Sequence, residues 1–258
     1  MMRLPEALLK CRAGYLPVFA AAALLAVFFI REIGYISYSS PTFDEGYYTA
    51  YGYSLVKTGE WRLANDKTNL APLLTALPLL AAGASFDTGN KHWKNLETGR
   101  DYQDVWLCAL EFLHNNALPA DKLIFYARLP VVLLALLLGL AVYAWSAKLY
   151  GKTAGLLSLL LYTTCPNILA HAGLATEDMA FTVFAFLTVY RYSLYNRTRK
   201  AADLVLAGAA LGLALNAKHT AILLLPALAG HCLLEYFRHR GESGGLKRRC
   251  LALGAVFI

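Results

Sequence analysis

Apolar stretches at 126–147, 153–169, 172–192, 202–217 and 219–237 stand almost end to end in this chain, and another covers Leu16–Ile30. Runs of about 17–25 apolar residues are what a bilayer's hydrocarbon accepts. Inside lipid every backbone N–H and C=O must be satisfied within the segment, so such runs form helices. The composition agrees, with 58% hydrophobic and only 16% charged residues, where soluble domains carry roughly 45–50% and roughly 25%. The expected fold class is therefore all-α, a polytopic integral membrane protein. A net charge of +7 would suit nucleic acid, but the basic residues sit in short loops between apolar runs. That placement sets membrane orientation, and no nucleic-acid partner is expected.

With a cytoplasmic N-terminus, the loops on that side hold Arg3, Lys10 and Arg12, then Lys148 and Lys152, then Arg191, Arg197, Arg199 and Lys200, and finally Arg238, Arg240, Lys247, Arg248 and Arg249. The short connections on the other side, near 166–178 and 216–220, hold only Lys218. Lysine and arginine excess in short loops marks the cytoplasmic face, so the N-terminus is expected there. The first run could also be a cleaved signal peptide. Arg31 and Glu32 stand where a small-x-small cleavage site would be needed, so an uncleaved helix is the expectation. A long extracytoplasmic stretch, 37–121, comes next, containing a short apolar segment at 70–84 that Pro72 and Pro78 interrupt. Its length suits an interfacial or re-entrant helix rather than a span. A further apolar run starts near Cys250, as expected for the N-terminal part of a longer membrane domain. The scattered cysteines show neither zinc nor disulfide spacing. The sequon at Asn196 falls in a cytoplasmic loop, and the outer loops carry none, which points to a bacterial inner membrane.

The ionisable residues that break this pattern gather on the outer side. Asp44 and Glu45 follow the first helix within Pro41-Thr42-Phe43-Asp44-Glu45-Gly46-Tyr47-Tyr48. One carboxylate could serve as a general base while its neighbour orients it; equally, acids in a first turn oppose the helix dipole. Glu177 and Asp178 follow Thr176, a possible helix cap, and His171 lies on the same face as Asp178 if both are helical. Ionisable groups at membrane depth mark functional sites by default. Arg128, at the start of the second long apolar run, and Lys218 add cations that could grip a phosphate or snorkel to headgroups. Lys67 and Lys91 read as solvated. Carboxylates and cations together suit a hydroxyl acceptor and an anionic leaving group.

On these features the chain resembles the polyprenyl-phosphate-dependent glycosyltransferases of the C-type (GT-C) fold. The branch is that of protein O-mannosyltransferases and aminoarabinose transferases. The resemblance rests on Asp44-Glu45 after the first helix, Pro72 in the short apolar segment, ARLPVVLLALLLGLAVYAWSAKLYG from Arg128, HAGLATEDMAFTVFAFLTVY with Asp178, and GAALGLALNAKHTAILLLP with Lys218. It implies that Asp44 is the base with Glu45 beside it, that His171, Glu177 and Asp178 shape the site, and that Arg128 and Lys218 face the donor phosphate. It further implies a polyprenyl-phosphate-linked sugar as donor, an acceptor protein or glycolipid, and inversion at the sugar carbon. The sequence leaves metal use open. Ala217-Lys218-His219 departs from the small residue and glycine that relatives often carry around the lysine. A transporter or flippase of lipid-linked sugars would use the same charges without chemistry, but no repeated halves are seen. A non-catalytic membrane subunit is the other rival, and the presence of Asp44 and Asp178 together speaks against it.

Overall fold

The computed structural model describes residues 6–64, 68–99 and 101–238. Lys67, the basic loop beyond Arg238 and the apolar run at Cys250 lie outside the described residues. The described chain is helical: α1 Glu6–Tyr38, α2 Phe43–Thr58, α3 Leu70–Ala82, α4 Lys91–Thr98, α5 Tyr102–His114, α6 Ala120–Tyr150, α7 Lys152–Thr164, α8 Pro166–Ala172, α9 Glu177–Thr198, α10 Ala201–Ala217, a 3-10 turn His219–Leu223, and α11 Leu224–Arg238.

Among the described residues two helices are long and apolar enough to cross a bilayer, Leu16–Tyr38 within α1 and Ala120–Tyr150. Both show apolar side chains outward: Leu16, Phe19 and Ile30 on α1, and Leu133, Leu137 and Leu140 on α6, are all exposed. Outward leucine and isoleucine are unfavourable in water and natural against lipid tails. Arg31 and Glu32 do not end the first helix, which runs on to Tyr38. The expected single run at 153–169 is instead two helices, α7 and α8, bent by 62° at Cys165–Pro166. Proline lacks the N–H that would continue the ladder, and it disfavours helical backbone in the residue before it. The run expected from 172 begins as helix only at Glu177, after a turn at 173–176.

The stretch between α1 and α6 is built, not loose. Its four helices share a core of Tyr47, Tyr51, Tyr53, Leu63, Trp93 and Phe112, closed by Leu123 and Ile124 of α6. α2 reads as polar and is nevertheless buried from Glu45 to Leu55. Its tyrosines make this tolerable, because each ring is apolar bulk and each hydroxyl finds an acceptor. Tyr47 donates to the Leu63 carbonyl at 2.8 Å, Tyr51 to Asn69 Oδ1, and Tyr53 to the Ala84 carbonyl. Gly52 lets the α2 backbone touch α3, since a Cβ there would lie 1.9 Å from the Pro72 carbonyl oxygen.

The second core joins Phe28 of α1, Val131, Ala135 and Leu138 of α6, Leu159 and Tyr162 of α7, and Met179 and Val183 of α9. The third holds α9, α10 and α11 together through Tyr192, Ala207, Leu211 and Leu228. Arg191 and Thr198 reach Asp203 at 3.2 and 3.0 Å, tying α9 to α10 at the end remote from the site.

Candidate functional site

The end of α1, the starts of α2, α6 and α9, and the end of α10 meet at one end of the molecule, and the meeting is made by charge. Arg128 lies about two turns inside α6, not at its start, and is fully buried, as is Glu45. The guanidinium donates from Nε to Glu45 Oε1 and from Nη2 to Oε2, both at 2.7 Å. Nη1 donates to the carbonyl and hydroxyl of Ser39 at 2.9 and 2.7 Å, and Nη2 also to the Ser40 carbonyl at 3.0 Å. Guanidinium has five N–H donors, and these contacts occupy all of them. Glu45 also accepts from the Thr42 N–H at 2.8 Å, the Thr42 hydroxyl at 3.0 Å and the Ala175 N–H at 2.8 Å. Burial pushes this carboxyl upward, but Arg128 and the Thr42 and Ala175 N–H groups outweigh it and hold it below the usual range.

This geometry sets aside the phosphate role expected of Arg128 and agrees with Glu45 as the neighbour of the base rather than the base. Arg128 does not face a donor phosphate, because it is enclosed and its donors are spent. Glu45 cannot take a proton from an acceptor, because it is enclosed too. Their pair is a clamp that fixes α1, α2, α6 and the 173–176 turn to one another.

Beside the clamp lies a second, open cluster. Asp44 is exposed and makes no hydrogen bond or ion pair to any described residue. Four residues along α2, one turn on the same face, Tyr48 lies near enough to both Glu177 and Asp44 for their charges to act on its phenol. Burial first, then the Glu177 and Asp44 charges, push Tyr48 above the ordinary tyrosine range. Lys218 follows the last residue of α10; its Nζ lies 2.6 Å from Asp178 Oδ1 and 3.3 Å from Glu177 Oε1. Burial lowers this ammonium, but Asp178 and Glu177 outweigh it and raise it above its usual value. His171 Nδ1 sits 3.6 Å from Asp178 Oδ2. These two do not share a helix face as the spacing suggested; α8 ends at Ala172, and the turn after it brings them together. Thr176 does not cap α9 through its side chain. Its hydroxyl lies 3.4 Å from Asp178 instead.

Sequence reasoning missed Thr68, whose hydroxyl donates at 2.6 Å to the carbonyl of Ala217 and so holds the backbone next to Lys218. Nothing in a lone threonine signals this. Tyr48 was missed too, though its four-residue spacing from Asp44 was an available signal. Glu32 was missed as well: it is buried on α1 against Gly173, with Oε2 unpartnered among the described residues. Among the described residues no three His, Cys, Asp or Glu side chains are gathered so as to hold a metal ion.

The open cluster thus holds an exposed carboxylate, Asp44, and a partly buried cation, Lys218, at helix ends. A family pattern described as dolichyl-phosphate-mannose-protein mannosyltransferase matches residues 117–258. The chain belongs to this family. It is accordingly an integral membrane protein of the GT-C glycosyltransferases. The matched stretch holds Arg128, His171, Glu177, Asp178 and Lys218 and begins after Asp44 and Glu45. No curated protein and no solved structure matches the chain.

Proposed function

We propose that this protein transfers a sugar from a polyprenyl-phosphate donor to a hydroxyl acceptor, on the face of the membrane opposite the cytoplasm. The family's description makes mannose the first sugar to test and a protein the first acceptor. The observation that carries the reading is the exposed Asp44 beside the Lys218–Asp178–Glu177 cluster, its neighbour Glu45 accepting at 2.8 Å from the Ala175 N–H in the turn that leads into Glu177.

Asp44 takes the proton of the acceptor hydroxyl. The oxygen attacks the anomeric carbon, the bond from that carbon to the phosphate oxygen breaks, and polyprenyl phosphate leaves with the electron pair. An ammonium carries three N–H donors; Asp178 and Glu177 occupy two on Lys218, leaving the third for a phosphate oxygen. A cation fixed there stabilises charge as it builds on the leaving group. Asp178 and Glu177 hold Lys218 in place, and His171 contributes a second positive charge when protonated. The clamp between Glu45 and Arg128 orients the helix that presents Asp44.

The test uses purified full-length protein and radiolabelled polyprenyl-phosphate mannose, following release of polyprenyl phosphate. Asp44→Asn is expected to abolish release while leaving membrane yield unchanged. Turnover retained in that variant would remove Asp44 as the base, and donor binding with no release in the wild type would favour a lipid-linked sugar transporter.

A further inference from the structure

Lys218 leaves α10 with an extended backbone, φ −156° and ψ 134°, so the helix no longer dictates where its side chain goes. The peptide group joining it to Ala217 is instead pinned at both ends. Its N–H donates to the Ala214 carbonyl at 3.0 Å, and its C=O accepts from the Thr68 hydroxyl at 2.6 Å. That carbonyl is one of the last four of α10, which a helix leaves without an intrahelical donor. Thr68 is buried, and so is Ala217. Beside the bond Ala71 of α3, Ala180 of α9 and Ala217 of α10 pack on one another, side chains small enough to bring three backbones together. The next residue ties the same loop to α2. Asn69 stands at the N-cap of α3, where its side chain would ordinarily accept from the first turn, yet it makes no such cap. Its Oδ1 accepts from the buried Tyr51 hydroxyl instead. Asp44, Tyr48 and Tyr51 follow one stripe of α2, at spacings of four and three residues.

We infer that Thr68 and Asn69 are positioning residues for the transfer, a two-residue strut that sets how far the base on α2 stands from the cation after α10. The inference rests on the reading of Asp44 as the base and Lys218 as the cation at the donor phosphate. Glu45 and Arg128 clamp only the first turn of α2, and a rod held at one point can still tilt. The bond from Tyr51 to Asn69, two turns further along, supplies a second point. Thr68 carries that constraint directly to the peptide that launches Lys218. Hydrogen bonds are directional, whereas the apolar packing around the tyrosines is not, so the strut fixes an angle that packing alone leaves soft. Displacement at the sugar carbon requires base, acceptor oxygen and leaving phosphate to be held in line, and a misplacement of about 1 Å can cost about 100-fold in rate. Neither residue has to touch substrate to matter in this way.

The experiment uses full-length protein and radiolabelled polyprenyl-phosphate mannose, following release of polyprenyl phosphate in the presence of a serine-rich peptide. Thr68→Val keeps the side chain's shape and removes its hydroxyl. It is expected to lower kcat about tenfold while donor KM rises no more than about threefold, the split that marks an interaction lost in the transition state. Thr68→Ser, which restores the donor, should stay within about threefold of wild type. In a Lys218→Met background Thr68→Val should lower kcat by less than about a further twofold, because no ammonium is left to misplace. Tyr51→Phe is a second, milder variant that releases Asn69; it should lower kcat about fivefold, the scale of one hydrogen bond. Combined with Thr68→Val it should add less than about twofold, since either cut frees the strut. A hydroxyl that served only stability would cost the same factor with or without Lys218. The inference is therefore overturned if the Thr68→Val loss persists undiminished in Lys218→Met, or if Thr68→Ser is as impaired as Thr68→Val. Lys218-dependent transfer that ignores both Thr68→Val and Tyr51→Phe overturns this inference alone. Transfer indifferent to Lys218→Met overturns the assigned cation beneath it, and transfer surviving Asp44→Asn overturns the assigned base.

Discussion

Replacing Arg128 with methionine separates a structural clamp from a phosphate site. The variant keeps the volume of the stem but strips Glu45 of both guanidinium bonds and leaves the carbonyls of Ser39 and Ser40 without their donor. Removing one partner of a buried ion pair costs about 3–5 kcal/mol, because the other charge stays buried. At about 2–4 °C per kcal/mol for domains near this size, thermal unfolding should come roughly 10 °C earlier. Detergent-purified protein monitored by tryptophan fluorescence gives that Tm, and donor titration below it gives KM. The expectation is a large loss of Tm with donor KM within about twofold. Arg128→Lys should not rescue, since an ammonium cannot make the two-pronged bond to Glu45 while reaching both serines. The double variant Glu45→Met with Arg128→Met should recover part of the loss: the stranded charge is gone, but the Thr42 and Ala175 N–H groups lose their acceptor. An unchanged Tm together with a donor KM raised about tenfold would refute the clamp and restore Arg128 to the phosphate.

Other outcomes follow from the same geometry. The Glu45 carboxyl is held below its unfolded value, so its contribution is full above the unfolded pKa of about 4.3 and disappears as pH falls through the lower folded value. Acid unfolding of wild type should therefore steepen below about pH 4, and Arg128→Met should flatten that dependence; identical acid profiles would count against it. Lys218→Met should raise donor KM and lower kcat by about 100-fold, as removal of one charge-stabilising donor does, while Lys218→Arg retains part of the rate. Gly52→Ala forces a Cβ onto the Pro72 carbonyl and should cost about 3 kcal/mol or more, because the obstacle is backbone that cannot swing away. A Gly52→Ala protein with wild-type Tm would mean α2 and α3 are not so closely packed.

The membrane character of this protein is legible from one dimension, because lipid selects on run length and charge bias, and both are local properties of a string. Leu16–Ile30 and the run after Arg128 declare themselves in this way. So does the gathering of Asp44, Asp178 and Lys218 at one end, since each lies beside the end of an apolar run and charge bias assigns those ends to one side. Helix ends were less legible. The first apolar run stopped at Ile30, yet α1 continues to Tyr38 with Glu32 buried along it. The break at Pro166 was available in the sequence but was outvoted by hydropathy.

What the string could not carry is which charge meets which. Arg128 and Glu45 are 83 residues apart, and the Ala175 N–H that completes the carboxylate's shell is 130 residues from it. On composition alone Glu45 and Asp44 are equivalent, as are Arg128 and Lys218. Only the packing of α1, α2, α6 and α9 buries one of each pair and leaves Asp44 open and Lys218 partly open. A buried charge must be matched by partners the fold brings to it, and an exposed one need not be. The division of these four residues into clamp and site is therefore a property of the tertiary structure.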